Sequence, residues 1–462
     1  MKFRLIGLFI ATMMALPPTA AAQIADSYRE VAGRIIAAAQ ADSAAFDRLA
    51  ELTDKFGHRL SGSQSLEDAI DWVLTQMTAD GLDNVHGEAV IVPHWVRGKE
   101  SARLLSPRTQ QLPMLGLGRS VGTPFWGIKA EVLVVGSFDE LSARSAEAAG
   151  KIILYNAPFT SYGETVQYRW RGAVEGAKHG AVAVLVRSVT PHSLNTPHTG
   201  AMSPYPDDGA KIPAAAVTVE DAMLMQRMAD RGETLVVRLK MGAKMLPDAS
   251  SRNVVAEITG SELPDEVVVM GGHIDSWDVG QGAMDDAGGC VAAWEALILL
   301  KKLGLRPRRT VRVVLWTNEE NGLMGGRTYA ETHEGTLDKH VLAIESDGGV
   351  FKPEGFGFTG SDAARAMIED IAALLVPIEA GTILSEGGGA DIGPIMRAGV
   401  PGMSLSVNRE KYFWYHHSDA DTIDKLDPHE LNLCIATLAV MAYVVADMPE
   451  TLPRIQPEEE EL

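Results

Sequence analysis

The stretch Gly271-Gly272-His273-Ile274-Asp275-Ser276-Trp277-Asp278, closing on Met284-Asp285-Asp286-Ala287-Gly288-Gly289, decides how this chain is read. Ahead of it, Val267 to Met270 is short, apolar and mostly β-branched, which predicts a buried strand. His273 falls where that strand ends, with Asp275 two residues on and Asp285 and Asp286 beyond a glycine-containing loop. Val291 to Leu300 then reads as a helix. An imidazole and carboxylates converging where a strand opens into a loop suit a catalytic metal, because rigid elements hold the donors in place. Acidic residues in a polar loop also serve solubility, so this cluster alone leaves both readings open.

Three further segments repeat the arrangement. Val311 to Trp316 runs into Asn318-Glu319-Glu320-Asn321-Gly322, and Val341 to Ile344 runs into Glu345-Ser346-Asp347-Gly348-Gly349. Aromatic Tyr412-Phe413-Trp414-Tyr415 leads into His416-His417-Ser418-Asp419-Ala420-Asp421-Thr422. Acids that merely solvate a surface scatter over helix faces. Here they collect at the ends of apolar segments. In an open α/β sheet the carboxyl ends of the strands face one crevice, so the four clusters can meet there as a metal centre.

His273-x-Asp275, Gly282-Ala283-Met284-Asp285-Asp286, Glu319-Glu320, Glu345-Ser346-Asp347 and His417-Ser418-x-x-Asp421-Thr422 together resemble the M28 zinc peptidases. Ser276 to Asp286, Val92 to Gly98, Ser188-Val189-Thr190 and Pro197-His198-Thr199-Gly200 are similar to the carboxypeptidase Q branch of that family. The resemblance covers nearly all of the chain beyond its leader, and all five ligand positions are filled.

That resemblance implies a doubly wound, mainly parallel α/β sheet of the zinc exopeptidase type, holding two zinc ions. Asp285 would bridge them, with His273 and Asp347 on one ion and Glu320 and His417 on the other. Glu319 is implied as the general base, since it adjoins a ligand without being one. Exchanged roles for Glu319 and Glu320 are the alternative, and His416 competes with His417 in the same way. Asp275 is expected to orient the His273 imidazole, as carboxylates behind a ligand histidine do. The Asp285-Asp286 peptide is expected to be cis. Asp391, where Gly387-Gly388-Gly389 enters a helix over 392–397, either caps that helix or faces the site. Tyr412 and Tyr415 either stabilise a tetrahedral intermediate or pack in the core. His94, His179, His192 and His198 lack carboxylates at ligand spacing and are read as non-metal.

The implied activity is hydrolysis of dipeptides or short peptides. Alternatives are an aminopeptidase of the same chemistry, an amidase of the M20 type, and a non-catalytic binding module on a peptidase fold. The complete ligand set and Glu319 count against the last. A homodimer is implied by the same resemblance.

Segments 23–115 and 245–452 read as two parts of one peptidase domain. The first is helix-rich from Ala25 to Gly81, and the second alternates strand and helix. Between them, 116–244 carries short strand-like runs at Ala130 to Val135, Lys151 to Tyr155 and Val182 to Val186, with a helix from Glu220 to Arg231. This insert is similar to a protease-associated domain. Thr190 to Tyr205 is long and without periodicity, and loops of that kind more often serve function than merely connect.

Residues 1–22 read as a cleavable secretory signal: Lys2 and Arg4, an apolar run from Leu5 to Leu16, and small Thr19-Ala20-Ala21-Ala22. The expected address is periplasmic or extracellular. No later apolar run looks long enough to span a membrane, and 453–462 is an acidic tail. A formal net charge of -20 argues against nucleic acid and anionic membrane surfaces as partners. Two cysteines, Cys290 and Cys434, fall in apolar helical segments and are read as buried thiols.

Overall fold

Val267 to Met270 lies inside a longer strand near the middle of an eight-stranded sheet. The structure, a computed structural model, describes residues 21–192 and 194–455. The signal expected over 1–22 therefore lies almost wholly outside the described residues, as does most of the acidic tail.

The strands of this sheet are β1 (Asp83–Val96), β2 (Lys244–Ile258), β3 (Leu263–His273), β4 (Arg309–Trp316), β5 (His340–Glu345), β6 (Pro353–Thr359), β7 (Thr382–Leu384) and β8 (Gly402–Val407). Their order is β1-β2-β4-β3-β5-β8-β6-β7. Pairing is parallel from β4 through β3 and β5 to β8, and antiparallel at β1/β2, β2/β4 and β6/β8. The sheet is thus mixed, with a parallel centre.

Alternate residues of the central strands feed two different cores, which is the period-two geometry of a strand covered on both faces. Val268, Met270, Val311, Val313 and Leu315 pack with α1 (Ala21–Gln40), α2 (Ala45–Phe56), α3 (Gln64–Ala79), α4 (Gly288–Lys302) and α5 (Pro428–Asp447). Val267, Val269, Val314 and Trp316 pack on the other side with Tyr329 and Ile395. By length and composition α5 could cross a membrane, contrary to the sequence reading, but nearly all of it is buried against α4 and α1. It is a core helix. Cys290 and Cys434 lie buried and unbridged in α4 and α5.

A second eight-stranded sheet runs in the order Gln110–Leu112, Glu100–Ser106, Val236–Met241, Ile128–Val135, Ile152–Tyr155, Ala183–Arg187, Ala214–Val217, Met114–Gly116. It draws in residues from Glu100 onward, so it begins ahead of residue 116. Trp277 and Val279, from the loop after β3, are buried in one of its cores and join the two sheets.

At the amino end of β5, away from the metal-donor clusters, Arg312 Nη1 donates to the Tyr329 hydroxyl at 2.9 Å. Arginine cannot accept, so Tyr329 donates onward to His340 Nε2 at 2.9 Å, and His340 Nδ1 donates to the Thr336 carbonyl at 3.1 Å. Both ring nitrogens are used with the imidazole neutral, and burial pushes its pKa down to about 4. The unfolded chain takes up this proton near pH 6.5, whereas the folded chain does so only near pH 4. Stability contributed by His340 is therefore complete above that window and lost as pH falls through it, by up to about 3 kcal/mol. Thermal unfolding across a pH series should show His340→Gln with a shallower acid slope than the parent.

Candidate metal centre

Register brings the clusters to one edge. His273 pairs with Trp316 across β3 and β4, and Gly271 pairs with Glu345 across β3 and β5. The loops after all three parallel strands therefore open side by side. The fourth cluster follows the helical turn Tyr412–Tyr415, just after β8.

Asp285 stands at the middle. Its Oδ1 is 3.2 Å from His273 Nε2, and its Oδ2 is 3.4 Å from His417 Nε2. His273 Nε2 also lies 3.5 Å from Asp347 Oδ1, and His417 Nε2 lies 2.9 Å from Glu320 Oε2. The structure thus brings all five sequence-implied ligand residues together around one carboxylate. His416 stacks on His417 with ring centroids 3.5 Å apart, and its Nε2 is 3.6 Å from Asp285 Oδ2. Contact with Glu320 is what sets His417 apart from it. Glu319 faces the same cavity.

The arrangement suits cations. Asp285 Oδ2 and Glu320 Oε1 are buried with no hydrogen-bond donor among the described residues. Burial opposes charge on His417, yet Glu320 and Asp285 hold its pKa up at about 9. His273 is likewise raised well above the ordinary imidazole range, with Asp285 and Asp347 outweighing burial. Donor atoms of Asp285, His416 and His417 lie within 4.8 Å of one another, as do those of His273, Asp286 and Asp347. Such converging carboxylates without donors are what bound metal ions would satisfy.

Further acids hold the loops that carry these groups. Asp286, joined to Asp285 by a cis peptide, accepts from the backbone N–H of His273 at 3.1 Å and of Gly289 at 3.0 Å. Both of its oxygens are engaged by backbone N–H groups, which makes it an anchor for the loop. Asp421 accepts from the backbone N–H groups of Ala283, Met284 and Asp285. Glu345 accepts from those of Ala390, Asp391 and Ile392.

Asp275 differs from expectation in how it acts. The His273 Nδ1–H points at the Asp275 backbone carbonyl, 2.9 Å away, and the Asp275 carboxylate stands back at 3.8 Å. That carboxylate instead accepts from the Glu319 backbone N–H at 3.0 Å and from the Ser61 hydroxyl at 3.3 Å. It positions Glu319 more directly than His273. Asp391 does not cap its helix: both its oxygens are buried without a donor. Burial, then the nearby Glu345, pushes its carboxyl well above the usual range.

Some residues of the site were not singled out from the sequence. Arg59, fully buried, donates to the carbonyls of Gly57, Ile274, Gln281 and Gly282, tying the loops on either side of Asp275. A lone arginine in Gly57-His58-Arg59-Leu60-Ser61-Gly62 was the available signal. Arg59→Met should strip all four carbonyls of their guanidinium donor, only Gly282 keeping another, from the Ala287 N–H, and cost at least about 3 kcal/mol in urea denaturation. From the helix Gln167–Lys178, which lies between two strands of the second sheet in the chain, Arg169 donates to the Tyr162 hydroxyl at 2.8 Å and contacts His417 Nδ1 at 3.2 Å. The Thr199 N–H donates to the His417 carbonyl at 2.8 Å, and His198 Nδ1 to that of His416 at 2.7 Å. His198 thus serves as a backbone clamp. A cavity of about 660 Å³ opens over the centre, lined on this side by Tyr162, Arg169, Trp170, Ala201 and Pro204. Tyr412 also lines it, whereas Tyr415 does not.

The description Peptidase family M28 matches residues 253–442, the stretch containing Glu319 and all five ligand candidates. Carboxypeptidase Q of Mus musculus is 53% identical over 431 residues, covering 93% of this chain and 92% of that protein. The chain belongs to peptidase family M28. The solved structure of a peptidase M28 precursor from Shewanella amazonensis SB2B superposes with a TM-score of 0.91 at 35% identity, covering 94% of this chain and 100% of that one. BSAP, a zinc aminopeptidase from Bacillus subtilis, shares the fold, with a TM-score of 0.67 at 19% identity over 88% of this chain and 96% of its own. As an M28 member the chain is an enzyme of the metallopeptidase class, and the M20 amidase alternative falls away.

Proposed function

We propose that this M28 enzyme is an exopeptidase that hydrolyses dipeptides or short peptides outside the cytoplasm, with two zinc ions at the centre and Glu319 as general base. The observation that carries it is the Asp285 carboxylate set between His273 and His417, each with a second acid beside it. Asp285 is suited to bridge, with His273 and Asp347 on one ion and Glu320 and His417 on the other. Zinc, when bound, lowers the pKa of a coordinated water to about 7 and polarises the substrate carbonyl.

The remaining work falls to the chain's own side chains. Glu319 takes the proton of the attacking water and returns it to the leaving amine. Burial and the neighbouring Asp347 and Glu320 outweigh His273 and push its carboxyl well above the usual range, a direction that makes it a stronger base. The Asp275 carboxylate fixes the Glu319 backbone. Tyr162 accepts its hydrogen bond from Arg169, so its own proton is free to meet a carbonyl oxygen that gains negative charge.

We assign the second sheet as the protease-associated-like module. It closes one side of the cavity and limits substrate length. A homodimer and a cleaved signal belong to the same reading. The test is elemental analysis together with turnover of an unblocked dipeptide and of casein. Two zinc ions per chain with preference for the dipeptide is the expected result. One ion with full activity, or vigorous internal cleavage of casein, overturns the reading.

A further inference from the structure

The cavity over the metal centre is lined by four acids and four arginines. The acids are Asp285, Glu319, Glu320 and Asp347, all members of the centre itself. Among the described residues that line it, no further carboxylate remains for a substrate's free ammonium group. The arginines are Arg119, Arg169, Arg327 and Arg409, and they are not equivalent. Arg169 is committed to Tyr162 and the Thr199 carbonyl, and Arg409 lies over the Tyr412 ring.

Arg119 and Arg327 remain. Arg119 is half-buried, yet it has no acidic partner among the described residues; its one side-chain hydrogen bond runs to the Asn321 carbonyl at 2.8 Å. Arg327, on the helix Met324–Thr332, is exposed at the rim with no side-chain hydrogen bond or ion pair among the described residues. Burial, and then the charge of Arg327, lowers the pKa of Arg119, so the two cations are close enough to repel. Two guanidinium groups lining one cavity, neither paired with an acid among the described residues, form a receptor for a planar anion.

We propose that Arg119 and Arg327 bind the free α-carboxylate of the substrate's carboxyl-terminal residue, so that the enzyme reads the carboxyl end of its peptide. This rests on the exopeptidase reading above. Chain geometry fits it. Glu319 must reach the leaving amine, and within one amino acid the amine nitrogen and the carboxylate carbon are about 2.5 Å apart. The carboxylate receptor must therefore border the loop that carries Glu319, and Arg119 is bonded to Asn321, two residues along that loop. The backbone there is held in uncommon conformations: Arg119, Asn318 and Leu323 have φ of 69°, 67° and 61° without being glycine. Such geometry concentrates where side chains must be aimed at a ligand.

The experiment compares one dipeptide with its carboxyl end free and amidated, the amino end free in both, for the zinc-loaded parent and for Arg119→Gln, Arg327→Gln and the double variant. The parent should favour the free acid in kcat/KM by about 10- to 100-fold, the range of a charge-assisted contact. That ratio should fall toward one in the double variant, chiefly through KM. Calorimetric binding of N-acetylalanine, set against N-acetylalaninamide, should weaken by a similar factor and needs no turnover. If Arg119→Gln fails to fold, Arg327→Gln at the exposed rim carries the comparison. A parent ratio of one or below, or an unchanged ratio in folded variants, overturns the proposal. Retained preference for N-acetylalanine with neither dipeptide cleaved would instead overturn the exopeptidase reading while supporting the receptor.

Discussion

Asp285→Asn protein is expected to emerge with most of its metal lost and its turnover down by about 10³-fold or more. Each Asp285 oxygen faces a different imidazole, at 3.2 Å and 3.4 Å. An asparagine keeps one oxygen and offers an amide N–H₂ to the other side, where it repels a cation and has no lone pair to give. The fold should survive, because Asp421 still holds the backbone N–H groups of residues 283–285. Elemental analysis with activity on one dipeptide checks this. A variant with full metal and little loss of rate would place the bridge elsewhere.

Glu319→Gln should behave differently, with metal content near that of the parent and turnover down by about 10²-fold or more. Glutamine matches glutamate in size, and the Glu319 backbone N–H keeps its bond to Asp275, so the loop stays in place. What disappears is a group able to accept and return a proton. The paired variant Glu320→Gln should lose metal, since Glu320 is the carboxylate 2.9 Å from His417. The opposite pattern would exchange the two roles, an alternative that residue order alone leaves open.

Much of the cluster was legible because its candidate ligands follow apolar runs. Val267 to Met270, Val311 to Trp316 and Val341 to Ile344 each read as a strand, and strand ends in a parallel sheet must share an edge. Less visible were groups whose role depends on backbone partners. Asp275 looked like a local device for turning a histidine, and capping a helix was one of the two readings of Asp391. In the folded chain Asp275 reaches Glu319, 44 residues away, and Asp391 caps nothing. Arg59 joins the site through carbonyls more than two hundred residues distant, and a bond to a carbonyl leaves no trace in residue type. The start of the second sheet was hidden for a similar reason. Glu100–Ser106 pairs with Val236–Met241, and no turn or periodicity near residue 100 announces a partner so far along the chain.

The clasp between Thr199 and His417 has a consequence for how substrate enters. An implied ligand is gripped from the segment that carries the second sheet, its backbone by the Thr199 amide and its ring by Arg169. A module that swung aside like a jaw would pull that imidazole with it and loosen the ion. With that clasp kept through turnover, substrate would enter through a doorway of fixed frame, and the dimensions of that frame would bear on what the enzyme accepts before any chemistry begins.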